Sequence, residues 1–219
     1  MIVTIANESG GATKSILADN LAALRTMAGR KVLLLDNDPQ HPSVNWSCER
    51  QVSGNHPPVA ARPITGKGLQ PELENLAYRY NDIVIDTESR DSLGSRSALT
   101  AAHVVIIPVD LDLLEKMNEE KMLARIGTAR QFKPRLRILV VITCSEPLPC
   151  GQRIAIVRNF ASKIAGAQLF PIVIHSGRAL RQAFRDGLSI CECRSAGQAA
   201  ISEMQELCSE VFDGESLMR

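Results

Sequence analysis

The sequence predicts one α/β domain over residues 1–219, with a mostly parallel central sheet and helices on both faces. Strand-length apolar runs alternate with segments whose apolar residues recur at helical spacing. The runs are apolar almost throughout rather than alternating with polar residues, as strands covered on both sides are. The first run leads through a glycine-containing turn directly into a helical segment.

Residues 2–6 form the first run, and Ile16, Leu17, Leu21, Leu24 and Met27 mark a helix over 15–28 that Gly29 ends. Residues 31–36 begin the next strand with Val-Leu-Leu-Leu. Further strands are expected at 82–86, 102–109, 136–143 and 169–174, with a weaker one near 58–62. Helices are expected at 69–76, 112–128, 152–165 and 196–212. Residues 39–68 hold most of the loop signals and read as an irregular excursion, without a composition break that would mark a second domain.

Apolar residues make up 45% of the 219, ordinary for a globular domain. The longest apolar runs, such as 104–109, fall far short of the roughly 20 residues that cross a bilayer. Without a basic leader or cleavage site at the start, a cytoplasmic protein is expected. The six cysteines read as free thiols, because Cys191-Glu192-Cys193 lacks the spacing of paired zinc ligands. Net charge is +1, yet residues 130–194 carry eleven Lys or Arg against three acids, a local balance of +8 that leaves −7 for the rest. That asymmetry permits a polyanion-binding surface.

Asn7-Glu8-Ser9-Gly10-Gly11-Ala12-Thr13-Lys14-Ser15 lies between the first strand and first helix. Backbone amides of Gly10, Gly11, Ala12, Thr13, Lys14, Ser15 and Ile16 can surround phosphate oxygens there, while Lys14 supplies charge and the Ser15 hydroxyl can ligate magnesium. The usual phosphate-loop pattern has glycine where this chain has Glu8 and Thr13. Thr13 does not readily take positive φ, and Glu8 would repel phosphate if it turned inward. The alternative is a Gly-Gly turn capped by Ser15 before an ordinary amphipathic helix.

Acids downstream favour the phosphate reading. Asp36-Asn37-Asp38 ends the second strand and Asp86-Thr87 a later one, where parallel strands project side chains toward the ligand crevice of α/β sheets. Asp36 and Asp86 can hold magnesium or its waters, and Asp38 can position an attacking water.

With these motifs in place, the chain resembles the ParA/MinD family of deviant Walker A ATPases, which have a P-loop NTPase fold. SGGATKS at 9–15, VLLLDNDPQ at 32–40, NDIVIDTES at 81–89, AHVVIIPVDLDLLE at 102–115 and HSGRALRQAFRDG at 175–187 carry the resemblance. It implies ATP and magnesium as cofactors, with Lys14 on the phosphates, Ser15, Asp36 and Asp86 around the metal, and Asp38 on the catalytic water. It also implies an ATP-dependent sandwich homodimer that binds DNA nonspecifically at the nucleoid, together with an adaptor or centromere-binding partner. Members position plasmids, chromosomes or protein cargo.

Ser9 stands where the family's signature lysine reaches the partner's nucleotide, and Thr13 replaces a glycine. Weak, partner-stimulated hydrolysis is expected, with Arg153 as a candidate substitute for the missing charge. Arg178, Arg181 and Arg185 share helical spacing and are the candidate DNA-backbone contacts, with Arg194 and Lys163 behind them. Base contacts are expected near Thr143-Cys144-Ser145-Glu146 and Ile174-His175-Ser176-Gly177. Trp46 either packs its loop on the core or marks a partner surface. A nucleotide-sensing adaptor with little turnover, and a small-molecule kinase or ligase-like enzyme, are the competing functions.

Overall fold

The computed structural model describes residues 1–64, 69–145 and 150–213, and the backbone alone of Gln70. Eight strands form one sheet: β1 (Ile2–Ile5), β2 (Val32–Asn37), β3 (Ala60–Pro63), β4 (Asp82–Thr87), β5 (Val104–Asp110), β6 (Arg137–Cys144), β7 (Ala167–Leu169) and β8 (Ile174–His175). Their spatial order is β3-β2-β4-β1-β5-β6-β7, with β8 also paired to β6. Every pairing is parallel.

Alternate residues of the apolar runs feed two layers. Val32 and Leu34 of β2, Val84 of β4, and Val104 and Ile106 of β5 pack on one face with Leu17, Leu21, Met204 and Leu207. These last four come from α1 (Thr13–Met27) and α8 (Gln198–Asp213). Leu33, Leu35, Ile83 and Ile85 point the other way, onto α3 (Leu69–Ala77) and α4 (Leu93–Ala101). Val105, Ile107, Ile138 and Val140 do likewise onto α5 (Glu119–Phe132) and α6 (Gly151–Ser162). Burial on both faces is why these strands show no polar alternation.

The expected helix over 112–128 is two elements. A 3-10 turn at Leu111–Lys116 opens on the Asp110 carboxylate, and α5 begins afresh after Asn118, whose side chain accepts from the Lys121 amide. The expected strand over 169–174 also divides into β7 and β8, which both pair with β6.

Most of the supposed excursion is ordered. After Asp38 the chain enters α2 (Pro42–Val52), with Pro42 in the first turn, where a fixed φ and a missing N–H cost nothing. Its inward residues Ser43, Trp46 and Arg50 follow helical spacing, but two of the three are polar, so apolar periodicity does not reveal them. Trp46 belongs to the core, and its Nε1 donates to Leu188 O at 3.2 Å.

Arg50, completely buried, donates to Pro57 O, to Gly187 O and through both terminal nitrogens to the Glu192 carboxylate at 2.8 Å. A Cβ on Gly187 would come within 2.3 Å of the Arg50 amide nitrogen, and Gly187 has φ +65°, so only glycine suits this position. These contacts join α2 to the turn that follows α7 (Arg178–Arg185). Among the described residues, no helix is long and apolar enough to cross a membrane.

Candidate nucleotide site

Parallel register brings the predicted acids together. Asp36 pairs in register with Asp86, and Asp86 with Ile5, so both carboxylates sit beside the start of the glycine loop. Helix α1 leaves that loop from Ala12, and Lys14 and Ser15 fall in its first turn, both buried.

The two loop departures are accommodated. Gly11 adopts φ +112°, whereas Thr13 is the first residue of α1, where a β-branched residue is unstrained. The Thr13 hydroxyl donates to Asp110 Oδ2 at 3.2 Å. Glu8 turns away from the loop interior and pairs with Arg125 of α5, and both side chains are 5% exposed. Ser9 is buried, and its backbone oxygen accepts from Lys14 Nζ at 3.4 Å and from the Ser89 hydroxyl at 2.9 Å.

Lys14 Nζ also donates to Asn7 Oδ1 at 3.0 Å and to the Ser89 hydroxyl. Burial lowers its pKa below the ordinary value, opposed by the nearby Asp86 and Asp38 carboxylates. Its ammonium is thus held by neutral acceptors, which leaves its charge uncancelled by direct pairing.

Asp86 is fully buried; its Oδ2 accepts from Ser43 at 3.0 Å, while Oδ1 has no hydrogen-bond partner. Desolvation lifts its pKa to about 7, with the Ser15 hydroxyl opposing and Asp36 adding to the shift. Asp36 is also raised by burial, although its two oxygens accept from the Asp38 and Val44 amides at 3.0 and 2.9 Å. An orphaned carboxylate oxygen beside a second acid and a buried serine hydroxyl is an all-oxygen donor set of the kind hard divalent cations take.

Asp38 is less enclosed, at the start of the turn into α2, and its Oδ1 accepts from the Gln40 amide at 2.9 Å. That position leaves the carboxylate near the loop mouth without burying it.

Several residues escaped sequence reasoning. Asn7 and Ser89 hold Lys14, and Ser43 holds Asp86, the last two through contacts between distant segments and Asn7 across its own loop. Asp19, four residues after Ser15 on α1, is completely buried, and burial raises its pKa well above the carboxylate range, with Ser43 opposing and Asp86 and Asp36 reinforcing. An acid among the apolar residues of α1 that follow Ser15 was its visible signal.

The remaining candidates lie elsewhere. Arg178, Arg181 and Arg185 are exposed along one side of α7, whose Leu180 and Ala183 face the core. Arg153 is exposed on α6, and its Nη1 donates to Leu111 O at 3.5 Å. Leu113 of the same turn faces Gly11, within 3.3 Å of where a Cβ would sit. His175 pairs with Glu203 of α8 at 2.7 Å. Glu146 lies outside the described residues.

A parallel sheet whose first strand passes through a glycine loop to a buried Lys-Ser pair, flanked by two strand-end acids, defines a nucleotide-binding domain of the P-loop class. The chain belongs to the CobQ/CobB/MinD/ParA nucleotide binding domain family, whose model matches residues 3–176.

Among its relatives, maintenance of carboxysome distribution protein A of Halothiobacillus neapolitanus is 24% identical over 216 residues, covering 96% of this chain and 95% of that protein. The chromosome-partitioning ATPase Soj of Thermus thermophilus is 28% identical over 167 residues, covering 64% and 67%. The fold is shared with apo McdA of Cyanothece, at TM-score 0.70 and 16% identity over 94% of this chain and 98% of that one. It is shared also with a cobyrinic acid a,c-diamide synthase from Mycobacterium smegmatis, solved with an ATP analogue and magnesium, at TM-score 0.75 and 17% identity over 100% and 96%.

Proposed function

We propose that this chain is a ParA-like, ATP-dependent switch that binds nonspecific DNA and takes part in plasmid or chromosome partition, or in cargo positioning. In this reading Lys14, Ser15 and the amides of Gly10 to Ile16 bind ATP. Ser15, Asp36 and Asp86 hold magnesium, which neutralises phosphate charge during hydrolysis. Asp38 orients the attacking water. The two relatives with partition and distribution roles support the biological assignment.

One observation carries the switch. The Asp36–Asp38 turn leads into α2, and α2 is fastened to the segment that follows the arginine helix by Trp46 bonded to Leu188 and by Arg50 bonded to Gly187 and Glu192. A rearrangement of the acidic turn would therefore reach the segment just after α7 through these hydrogen bonds, of which that from Arg50 to Gly187 is buried. Packed and hydrogen-bonded connections of this kind can carry two-state coupling.

The test is DNA binding to a random-sequence duplex with ATP, ADP or no nucleotide. ATP should tighten binding of the unaltered protein at least about tenfold, in line with ordinary coupling energies. The triple variant Arg178→Ala, Arg181→Ala, Arg185→Ala should lose that binding and flatten the dependence of log affinity on log salt by about 2.7 per protomer. Nucleotide-independent affinity that the triple variant retains in full would reject the switching role. Tight ATP binding with no turnover, even with DNA and a partner present, would instead favour a sensing adaptor.

Dimerisation is the second part of the reading. Ser9 carries no charge to a neighbouring nucleotide, and Arg153 is the proposed replacement. Its bond to the turn that abuts Gly11 keeps the guanidinium on the loop side of α6. Arg153→Ala should weaken ATP-dependent dimerisation by about tenfold in sedimentation equilibrium, the scale of one charge-assisted contact. Undiminished dimerisation in that variant would eliminate the assignment.

A further inference from the structure

Lys14 is 2% exposed, so a phosphate reaches its ammonium only after some group has moved aside. An ammonium carries three donors and no acceptor. The fold supplies three acceptors for them: Asn7 Oδ1 at 3.0 Å, Ser9 O at 3.4 Å and the Ser89 hydroxyl. Any further ligand on Lys14 therefore displaces one of the three.

The three are not alike. Asn7 and Ser9 belong to the phosphate loop itself and are buried, at 5% and 4% exposure. Ser89 comes from the connection between β4 and α4, 75 residues further along the chain, and is partly exposed. Of the three, it is the one that a solute arriving from water meets first.

The Ser89 hydroxyl is used twice. It accepts from Lys14 Nζ and donates to Ser9 O at 2.9 Å, which closes a ring of hydrogen bonds through Lys14, Ser89 and Ser9. The chain is fixed on either side of it. Thr87 donates its hydroxyl to Ile5 O at 2.8 Å, and Ser95 of α4 donates to Arg90 O at 2.9 Å. Only Glu88 and Ser89 lie between these holds, so the ring opens by a local turn of the chain that leaves α4 in place.

We propose that Ser89 is a latch on the phosphate loop, whose hydroxyl covers the Lys14 ammonium and has to leave it when ATP binds. This rests on the reading of the loop as an ATP site and adds a contact that opposes binding there. Removing the latch should therefore strengthen ATP binding, the reverse of what loss of a supporting contact would do.

Ser89→Ala deletes the hydroxyl and leaves Asn7 and Ser9 on the ammonium, and Ser89→Thr is the variant that keeps it. Isothermal titration with ATP and magnesium should show Ser89→Ala binding about fivefold tighter than the unaltered protein, the weight of one hydrogen bond. Trace labelling with acetic anhydride, followed by mass spectrometry, reads the cover on Lys14 without nucleotide. Lys14 should acylate about fivefold faster in Ser89→Ala, on the same weight of one hydrogen bond. Ser89→Thr should follow the unaltered protein in both measurements. Unchanged or weakened ATP binding in Ser89→Ala, or an unchanged acylation rate, would overturn the latch. Failure of both the unaltered protein and Ser89→Ala to bind ATP would instead remove the nucleotide reading, and the acylation rates would still decide whether Ser89 covers Lys14.

Discussion

Lys14→Gln is expected to weaken ATP binding at least about a hundredfold, near 2.7 kcal/mol, while leaving the fold intact. The ammonium is buried, desolvated and held by Asn7, Ser9 and Ser89, all neutral acceptors. Its charge is therefore available to a phosphate, and a charge-assisted bond in so enclosed a site lies at the upper end of the usual range. Glutamine preserves much of the volume and can donate to Asn7, but it brings no charge. Lys14→Arg should fail as well, because a planar fork has no room at 2% exposure. Isothermal titration with ATP and magnesium, beside far-ultraviolet circular dichroism, checks both points. Unchanged affinity in Lys14→Gln would remove the phosphate-loop assignment.

Asp86→Asn is expected to stabilise the nucleotide-free protein at pH 8 and to remove its magnesium response. Burial lifts the folded-state pKa of Asp86 from 3.8 to about 7. Between those values the folded chain retains a proton that the unfolded chain has released, so this group lowers stability progressively as pH rises from about 4 to about 7. Three units correspond to a ceiling of about 4 kcal/mol, shared with the neighbouring acids. On that basis the variant should melt on the order of 5 °C higher at pH 8, with the advantage vanishing near pH 4.

The same residue must be ionised to serve a divalent cation, so magnesium-supported ATP binding should strengthen in the unaltered protein between pH 6 and pH 8. The variant should show weak binding that varies little over that interval. Melting curves across pH, with ATP titrations in the presence and absence of magnesium, measure both effects. A variant that melts lower at pH 8 or keeps the full magnesium response would contradict this account of Asp86.

The legible parts of the candidate site were those whose side chains are placed where their strand or helix begins or ends. Asp36, Asp86, Lys14 and Ser15 could be read because a strand-end carboxylate or a helix-start lysine has its position set by local structure and parallel pairing. Asn7, Ser43 and Ser89 could not, since each acts through a partner on another element: Asn7 and Ser89 on Lys14, Ser43 on Asp86. Polar residues such as these are common in turns, and nothing local separates an exposed serine from one that holds a buried acid.

Helix α2 marks the same boundary. Apolar periodicity finds a helix whose inner stripe is hydrocarbon, but the inner stripe of α2 is Ser43, Trp46 and Arg50. Arg50 can be buried there only because Glu192 and two carbonyls, most of them over a hundred residues away, complete its hydrogen bonds.

By itself, then, the amino-acid sequence determined the parallel α/β class, the loop of residues 8–15 and the acids facing it, because alternation of strand and helix, glycine placement and strand ends are local properties. Tertiary structure alone decided that Glu8 turns to Arg125 rather than toward phosphate, that Thr13 escapes strain because Gly11 takes the positive φ, and that α2 is fastened to the turn after the arginine helix. Each of these depends on which distant group satisfies a buried charge or donor, and only the folded chain brings those groups within reach.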